Sequence, residues 1–325
     1  MMLRLPGDGA ARGALLTEVL EGPGVPGIVH AIAEALPPLA ARLAAGRLHG
    51  DPEEIVGVND SGDKQKALDL AAHDHMMAVL QRAGVRQVLS EEAEAVILLN
   101  KGGAFDVAID PIDGSGSIGI GAPLGMLFSI LPAGEGGFLR SGRSIVAAGY
   151  ASFGHSVDFG WSTGQGVHVA THDAAAGFRV AARNLRLKSA ASTIAYNASN
   201  ERHWVPGLQD WARDLRAGRD GPRGRDFNMR WLAAAVGELH RILLKGGVFL
   251  YPADARPGYG EGRLRLIYEC APIAFLMEQA GGQATDGRMP ILDRVPTGLH
   301  QMTPLIFGAT GEVEAIHFYL SANKG

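Results

Sequence analysis

The stretch Ala108–Ile130, AIDPIDGSGSIGIGAPLGMLFSI, ends one apolar segment on two carboxylates, Asp110 and Asp113, and begins another after a run of glycine and serine. Pro111 at the second position of a turn fixes φ and brings the first and fourth residues to within about 7 Å in Cα separation. The two carboxylates can therefore face one ion. A strand reading FDVAI would deliver Asp110 at its carboxyl end, where open α/β sheets keep their ligands.

Short, β-branched and apolar segments surround this turn: 85–90 (VRQVLS), 95–100 (AVILLN), 105–110 (FDVAID), 125–131 (GMLFSIL) and 144–151 (SIVAAGYA). Each is bounded by glycine or charge and reads as a strand. Upstream, residues 26–45 have helical spacing broken by Pro37-Pro38, which predicts two helices or one kinked helix. Leu68, Ala72, Met76 and Leu80 put one apolar face on a helix over 68–80. Downstream, 192–197 (STIAYN) and 246–252 (GGVFLYP) read as strands. Residues 231–244 and 266–280 read as helices, the second closed by Gly281-Gly282. The expected fold class is α/β, two layered α/β units spanning 1–188 and 189–325 with the metal site at their junction.

Composition excludes several functions. Net charge is −4, from 30 basic and 34 acidic residues, so no global field draws the chain to nucleic acid or an anionic membrane. The one cysteine, Cys270, rules out an intrachain disulfide framework and fits a reducing compartment. No apolar run approaches the roughly 20 residues that span a bilayer, and a cytoplasmic location is expected. The arginines of 213–230 alternate with aspartates and no aromatic platform, which reads as a solvated loop. His73 and His75, two apart on a helix, point to different faces and do not form a metal pair.

Acidic residues recur at the ends of the predicted elements: Asp63 and Asp69 in GDKQKALD, Glu91-Glu92 in LSEE, Asp110 and Asp113, and Glu269 in LIYEC. Converging carboxylates must raise their pKa values or bind a cation. Oxygen donors without cysteine select Mg²⁺, or Mn²⁺, over zinc. The run Gly114-Ser115-Gly116-Ser117 offers backbone N–H groups suited to a phosphate beside the metal. Metal-assisted phosphate ester hydrolysis is the chemistry these residues suggest.

DPIDGS resembles the metal motif of the inositol monophosphatase and sugar phosphatase superfamily. GDKQKALD, LSEE, GRSIVAAGYASFG, the segment from Gly246 to Gly282 and VPTGLHQMTPLIFG resemble the class I fructose-1,6-bisphosphatases. The resemblance runs from about residue 55 to the C-terminus. It implies the sugar-phosphatase fold, a homotetramer and hydrolysis of the 1-phosphate of fructose 1,6-bisphosphate. It makes Glu91, Glu92, Asp110, Asp113, Glu269 and the Ile112 carbonyl metal ligands. Asp63, Asp69 and Glu92 would position or deprotonate the attacking water. Asp113, Gly114, Ser115 and Gly116 would meet the 1-phosphate. Asn197, Arg230, Tyr251 and Arg263 would hold the 6-phosphate, Arg230 from a neighbouring subunit. Sedoheptulose 1,7-bisphosphate is the alternative substrate; an inositol-type monophosphatase and a non-catalytic sugar-phosphate-binding regulator are the further readings.

The chain also departs from that family. Gly116-Ser117-Ile118-Gly119 stands where the family reads S-N-I-D, and Asn200 and Trp231 stand where tyrosines are common. The AMP loop and its Lys-Tyr pair are replaced by Glu21–Val29 (EGPGVPGIV) and Ala104-Phe105, so inhibition by AMP is expected to be weak or absent.

Overall fold

The computed structural model describes residue 9, residues 11–58 and residues 64–322. Asp63, one of the expected catalytic carboxylates, lies outside the described residues. Two short helices, α1 (Val25–Glu34) and α2 (Leu36–Ala44), take the place of the proline-broken segment, each with proline in its first turn. Proline is tolerated there because the N–H it lacks has no intrahelical partner. The hairpin of β1 (Ile55–Val58) and β2 (Lys64–Lys66) leads into α3 (Ala67–Arg82).

The main sheet has eight strands: β3 (Gln87–Ser90), β4 (Ile97–Leu98), β5 (Phe105–Asp113), β6 (Leu124–Pro132), β7 (Ala147–Phe153), β8 (Val157–Ser162), β9 (Val167–Asp173) and β10 (Gly177–Leu185). Their order is β10-β9-β8-β7-β6-β5-β3-β4. Every pairing is antiparallel except β3 with β5. The segment expected as a strand over 95–100 pairs only at Ile97–Leu98.

Both faces of this sheet are covered, so its central strands are apolar on both sides. Met126, Phe128 and Ile130 of β6 join Val107 and Ile109 of β5 against Ile28, Ile32 and Met76 of the N-terminal helices. Leu127 and Leu131, with Ala108, join the opposite core. This alternation follows from the two-residue period of a strand. A fully buried Phe or Leu contributes about 1.5–3 kcal/mol.

The opposite core is built on α5 (Ala235–Lys245) and α6 (Ala271–Gln279), through Leu239, Ile242, Ile273 and Leu276. Beyond them lies the second sheet: β11 (Thr193–Ala195), β12 (Asn228–Met229), β13 (Val248–Tyr251), β15 (Gln283–Thr285) and β17 (Leu305–Gly308), ordered β12-β11-β13-β17-β15. Phe249 and Phe307 point inward to the shared core, while Ile194, Val248 and Ile306 point outward to α4 (Pro206–Arg216) and α7 (Thr310–Ala322). A two-stranded pair, β14 (Leu264–Arg265) with β16 (Met302–Thr303), completes the fold. The layers run helix, sheet, helix, sheet, helix.

Two helices differ from the sequence reading. The one expected from Trp231 begins at Ala235, because Ala233 takes φ 60° and the Leu232 N–H is held by Glu238 Oε1 at 2.7 Å. The one expected from Leu266 starts as a π-turn, Leu266–Cys270, before α6. Such wide turns occur mostly at functional sites, and this one carries Glu269. No described helix is long and apolar enough to cross a membrane.

Candidate active site

The parallel pairing of β3 with β5 sets Ser90 beside Ile109, and the Glu91 N–H continues the ladder by donating to the Ile109 carbonyl at 3.1 Å. Glu91 thereby arrives alongside Asp110, and their carboxyl groups are hydrogen-bonded. Asp110 Oδ1 accepts the Ile112 N–H at 2.9 Å; in place of the turn expected at Asp110–Asp113, strand β5 runs on through Asp113 and a bulge brings the two carboxylates to one side. The register of β5 against β6 shifts between Asp110 and Asp113, so the backbone of Pro111-Ile112 leaves the regular ladder. Ile112 itself is buried.

Asp113 Oδ2 accepts the Val236 N–H at 2.7 Å. This donor lies in the first turn of α5, where N–H groups lack intrahelical partners and the helix dipole favours an anion. Glu269 enters from the π-turn, its Oε2 accepting the Arg265 N–H. Carboxylate oxygens of Asp110, Asp113 and Glu269 all lie within 4.8 Å of one another, and all three residues are buried.

Asp69 sits in the first turn of α3. One oxygen accepts the Lys66 N–H, while Oδ1 is buried without a hydrogen-bond partner. Burial, with the Glu92 charge, pushes its carboxyl up to about 7. Burial likewise lifts Glu91 to about 7 and Asp113 to about 6. Asp110 and Glu269 are driven well above the carboxylate range by burial and by their acidic neighbours. Only Arg265 opposes this among the groups acting on both Glu91 and Glu269.

A cluster of this kind is unstable as a set of anions and is relieved by a cation or by protons. The donors fit a hard divalent metal. They are carboxylates without sulfur or imidazole, and they converge; beside Glu92, Asp69 keeps a buried oxygen with no hydrogen-bond partner among the described residues. Glu91, Asp110, Asp113 and Glu269 are the residues that could hold it, with Glu92 and Asp69 beside them.

Gly114 follows with φ 83°, and a Cβ there would lie 2.7 Å from the Ala234 Cβ, so the tight turn requires glycine. The loop continues as one 3₁₀ turn, Ser115–Ser117, with open space at Gly116. Lys66 Nζ donates to the Ser115 carbonyl at 2.8 Å.

The expected distal residues lie on and around the second sheet and β14. Tyr251 ends β13, and its hydroxyl, raised chiefly by burial, has the Tyr259 phenol and the charges of Arg263, Arg256 and Asp254 around it. Arg263 and Arg256 lie over the Tyr259 ring at 5.1 and 3.8 Å. Asn197 Oδ1 caps a 3₁₀ turn by accepting from the Ser199 N–H and hydroxyl. Arg230 is exposed just after β12, its guanidinium donating to the Met229 carbonyl at 2.8 Å. Trp231 stacks on Phe249 at 5.8 Å and packs against the core, and Asn200 is buried.

The sequence reading passed over two cations, Lys66, whose charge acts on Asp69, and Arg265, whose charge acts on Glu91 and Glu269. Arg265 sits in an apolar LRLIY setting, and only the pairing of β14 with β16 fixes its position. His73 bonds Ser90 Oγ at 2.8 Å and His75 the Ala35 carbonyl at 2.9 Å, on different faces. Cys270 is a buried free thiol. The stretch 213–230, expected as a solvated loop, begins inside α4, where Arg213 pairs with Asp210; Arg219 pairs with Asp226, and Arg223 and Arg225 pair with the buried Glu312.

The layered fold is that of the sugar phosphatases, and the enzyme class is phosphoric monoester hydrolase. The fructose-1,6-bisphosphatase N-terminal domain model matches residues 52–183 and the C-terminal domain model residues 187–321. The chain is 50% identical over 293 residues to the class 1 fructose-1,6-bisphosphatase of Brucella suis, covering 90% of this chain and 86% of that one. The corresponding protein of Brucella anthropi is 50% identical over 295 residues, covering 90% and 87%. The crystal structure of Leishmania major fructose-1,6-bisphosphatase in holo form superposes with a TM-score of 0.89 at 28% identity, over 96% of this chain and all of that one. The chain belongs to the class 1 fructose-1,6-bisphosphatase family.

Proposed function

We propose that this enzyme hydrolyses the 1-phosphate of D-fructose 1,6-bisphosphate, with Mg²⁺ as its metal, releasing fructose 6-phosphate and phosphate. The observation that carries the reading is the convergence of the Asp110, Asp113 and Glu269 carboxylates within 4.8 Å. Family membership supplies the substrate class. Bound Mg²⁺ would neutralise the carboxylates, polarise the phosphoryl oxygens and acidify a water.

The remaining work falls to the chain's own groups. Glu91, Asp110, Asp113, Glu269 and the Ile112 carbonyl hold the metal, and the Val236 N–H keeps Asp113 aimed. Asp69 and Glu92 orient the attacking water and take its proton, a role suited to a carboxyl lifted to about 7. Asp63 belongs to the same expected set. Backbone N–H groups of Gly114, Ser115 and Gly116 hold the transferred phosphoryl group. Tyr251 and Arg263 grip the distal phosphate with Asn197, and Arg230 does so across a subunit boundary in a homotetramer. Arginine suits that task through its planar fork.

The test is phosphate release from fructose 1,6-bisphosphate, sedoheptulose 1,7-bisphosphate and inositol 1-phosphate, each with and without Mg²⁺. Turnover of the first with Mg²⁺ is expected. No turnover on any of the three would overturn the reading, and preference for the second would transfer it to the longer sugar.

A further inference from the structure

A cavity of about 640 Å³ lies outside the carboxylate site, between the end of α2 and the loop that follows Ser115. Arg42, Arg47, His155 and His172 line it, and among the described residues no carboxylate does, although Asp51 and Glu53 pair with Arg47 at its edge. Leu43, Leu124 and Phe153 supply an apolar wall. That size and mixture is typical of a small-molecule site, where a few polar groups orient a largely apolar ligand. Arg42 donates to the Gly46 carbonyl at 2.9 Å and forms no ion pair among the described residues, so its charge is available.

The cavity is wired to the phosphate loop. Arg47 Nη1 pairs with Asp51 at 2.7 Å and Nη2 with Glu53. Glu53 Oε1 lies 3.6 Å from Lys66 Nζ, which donates to the Ser115 carbonyl at 2.8 Å. Gly119 makes room for this chain of charges. A Cβ there would sit 2.7 Å from Glu53 Oε2 and 3.1 Å from Arg47 Nη2, at a φ of 78° that favours glycine. A side chain at 119 would therefore have to displace the ends of the Arg47–Glu53 pair.

We infer that this cavity is an effector site for a phosphate monoester of metabolite size, and that its occupancy weakens substrate binding through Glu53 and Lys66. A phosphate taking the Arg42 and Arg47 forks displaces Glu53 from Arg47, since guanidinium groups bind phosphate oxygens in pairs. The freed carboxylate then draws Lys66 away from the Ser115 carbonyl, and the loop that meets the 1-phosphate loses its brace. Binding stands apart from the proposed reaction; only the kinetic effect rests on it.

Phenylphosphonate, a phosphate-like dianion on a flat apolar group that cannot be hydrolysed, is the probe. Calorimetric titration of the full chain in EDTA reads binding without turnover, and the metal-free carboxylate cluster repels the same anion. Saturable binding is expected, weakened at least tenfold by Arg42→Gln and unchanged by Arg230→Gln. No binding, equal binding to Arg42→Gln, or loss with Arg230→Gln overturns the site. With Mg²⁺, phenylphosphonate should raise KM for fructose 1,6-bisphosphate at least threefold at constant kcat in the wild type but not in Arg42→Gln. The same rise in Arg42→Gln would mean competition in the active site and would overturn the coupling.

Discussion

Asp69→Asn should stabilise the metal-free protein, and by an amount that grows with pH. Asp69 is 5% exposed, its Oδ1 has no partner, and burial beside the Glu92 charge holds its carboxyl near 7. An unfolded aspartate titrates near 4. Because the folded value is raised, the penalty is absent below the unfolded pKa, grows as pH rises between about 4 and 7, and is complete above 7. Each tenfold change in acidity corresponds to about 1.4 kcal/mol, so Asp69 destabilises the fold by about 1.5 kcal/mol at pH 5 and by up to about 4 kcal/mol at pH 8. Asparagine removes the charge and keeps an oxygen for the Lys66 N–H. Urea unfolding of both proteins in EDTA should show the variant ahead at each pH, with the gap widening by about 2 kcal/mol or more between pH 5 and pH 8. Mg²⁺ should narrow or reverse the gap while the variant loses turnover. A gap independent of pH, or a variant weaker than the wild type at pH 8 in EDTA, would refute the reading of Asp69 as a buried carboxyl lifted by its surroundings.

Val236→Pro removes the N–H that Asp113 accepts at 2.7 Å, at a first-turn position where proline is tolerated. A hydrogen bond to a charged group is worth about 1.5–3 kcal/mol, so Mg²⁺ affinity measured by calorimetry should fall about tenfold or more while the circular dichroism spectrum is retained. Glu91 and Asp113, lifted to about 7 and about 6, must shed protons when the metal binds. Titrations of Mg²⁺ in buffers of different ionisation enthalpy should show net proton release at pH 6 and less at pH 8.5, with apparent affinity rising between them. AMP should fail to inhibit at concentrations that saturate an ordinary nucleotide site. Phe105 packs 3.5 Å from the Cβ position of Gly24, and Ala104-Phe105 offers neither charge nor hydroxyl there. A micromolar inhibition constant would contradict this.

Much of the candidate site is legible in the sequence because its residues occur in short local motifs. LSEE and DPIDGS each end a strand, and the two-residue strand period and the left-handed turn at Gly114 are local facts. The helical periods of residues 26–45 and 68–80 are also legible, since one face of each helix packs on a sheet. The strands β8, β9 and β10 are not legible individually, because their polar and histidine-bearing positions blur the alternation. The C-terminal helix α7 is hidden for a related reason: apolar and polar residues are spread around it, and only Val313 and Ile316 are buried hydrophobics.

The sequence by itself determined the carboxylate identities, the closeness of Asp110 to Asp113 along the chain and the glycine that the loop demands at 114. These depend on bonds and torsions within a few residues. That a bulge rather than a turn joins the two aspartates came from the pairing of β5 with β6. Tertiary structure alone decided that Glu269 reaches Asp110 through a π-turn, that the Val236 N–H meets Asp113 across 123 positions of chain, and that Arg265 stands against the cluster. It also decided what Gly119 is for. In the sequence that residue is a missing side chain, whereas in the fold it lies against the ends of Glu53 and Arg47, which a side chain there would have to move. Proximity between segments distant in sequence is set by the packing of layers, and no local spacing encodes it.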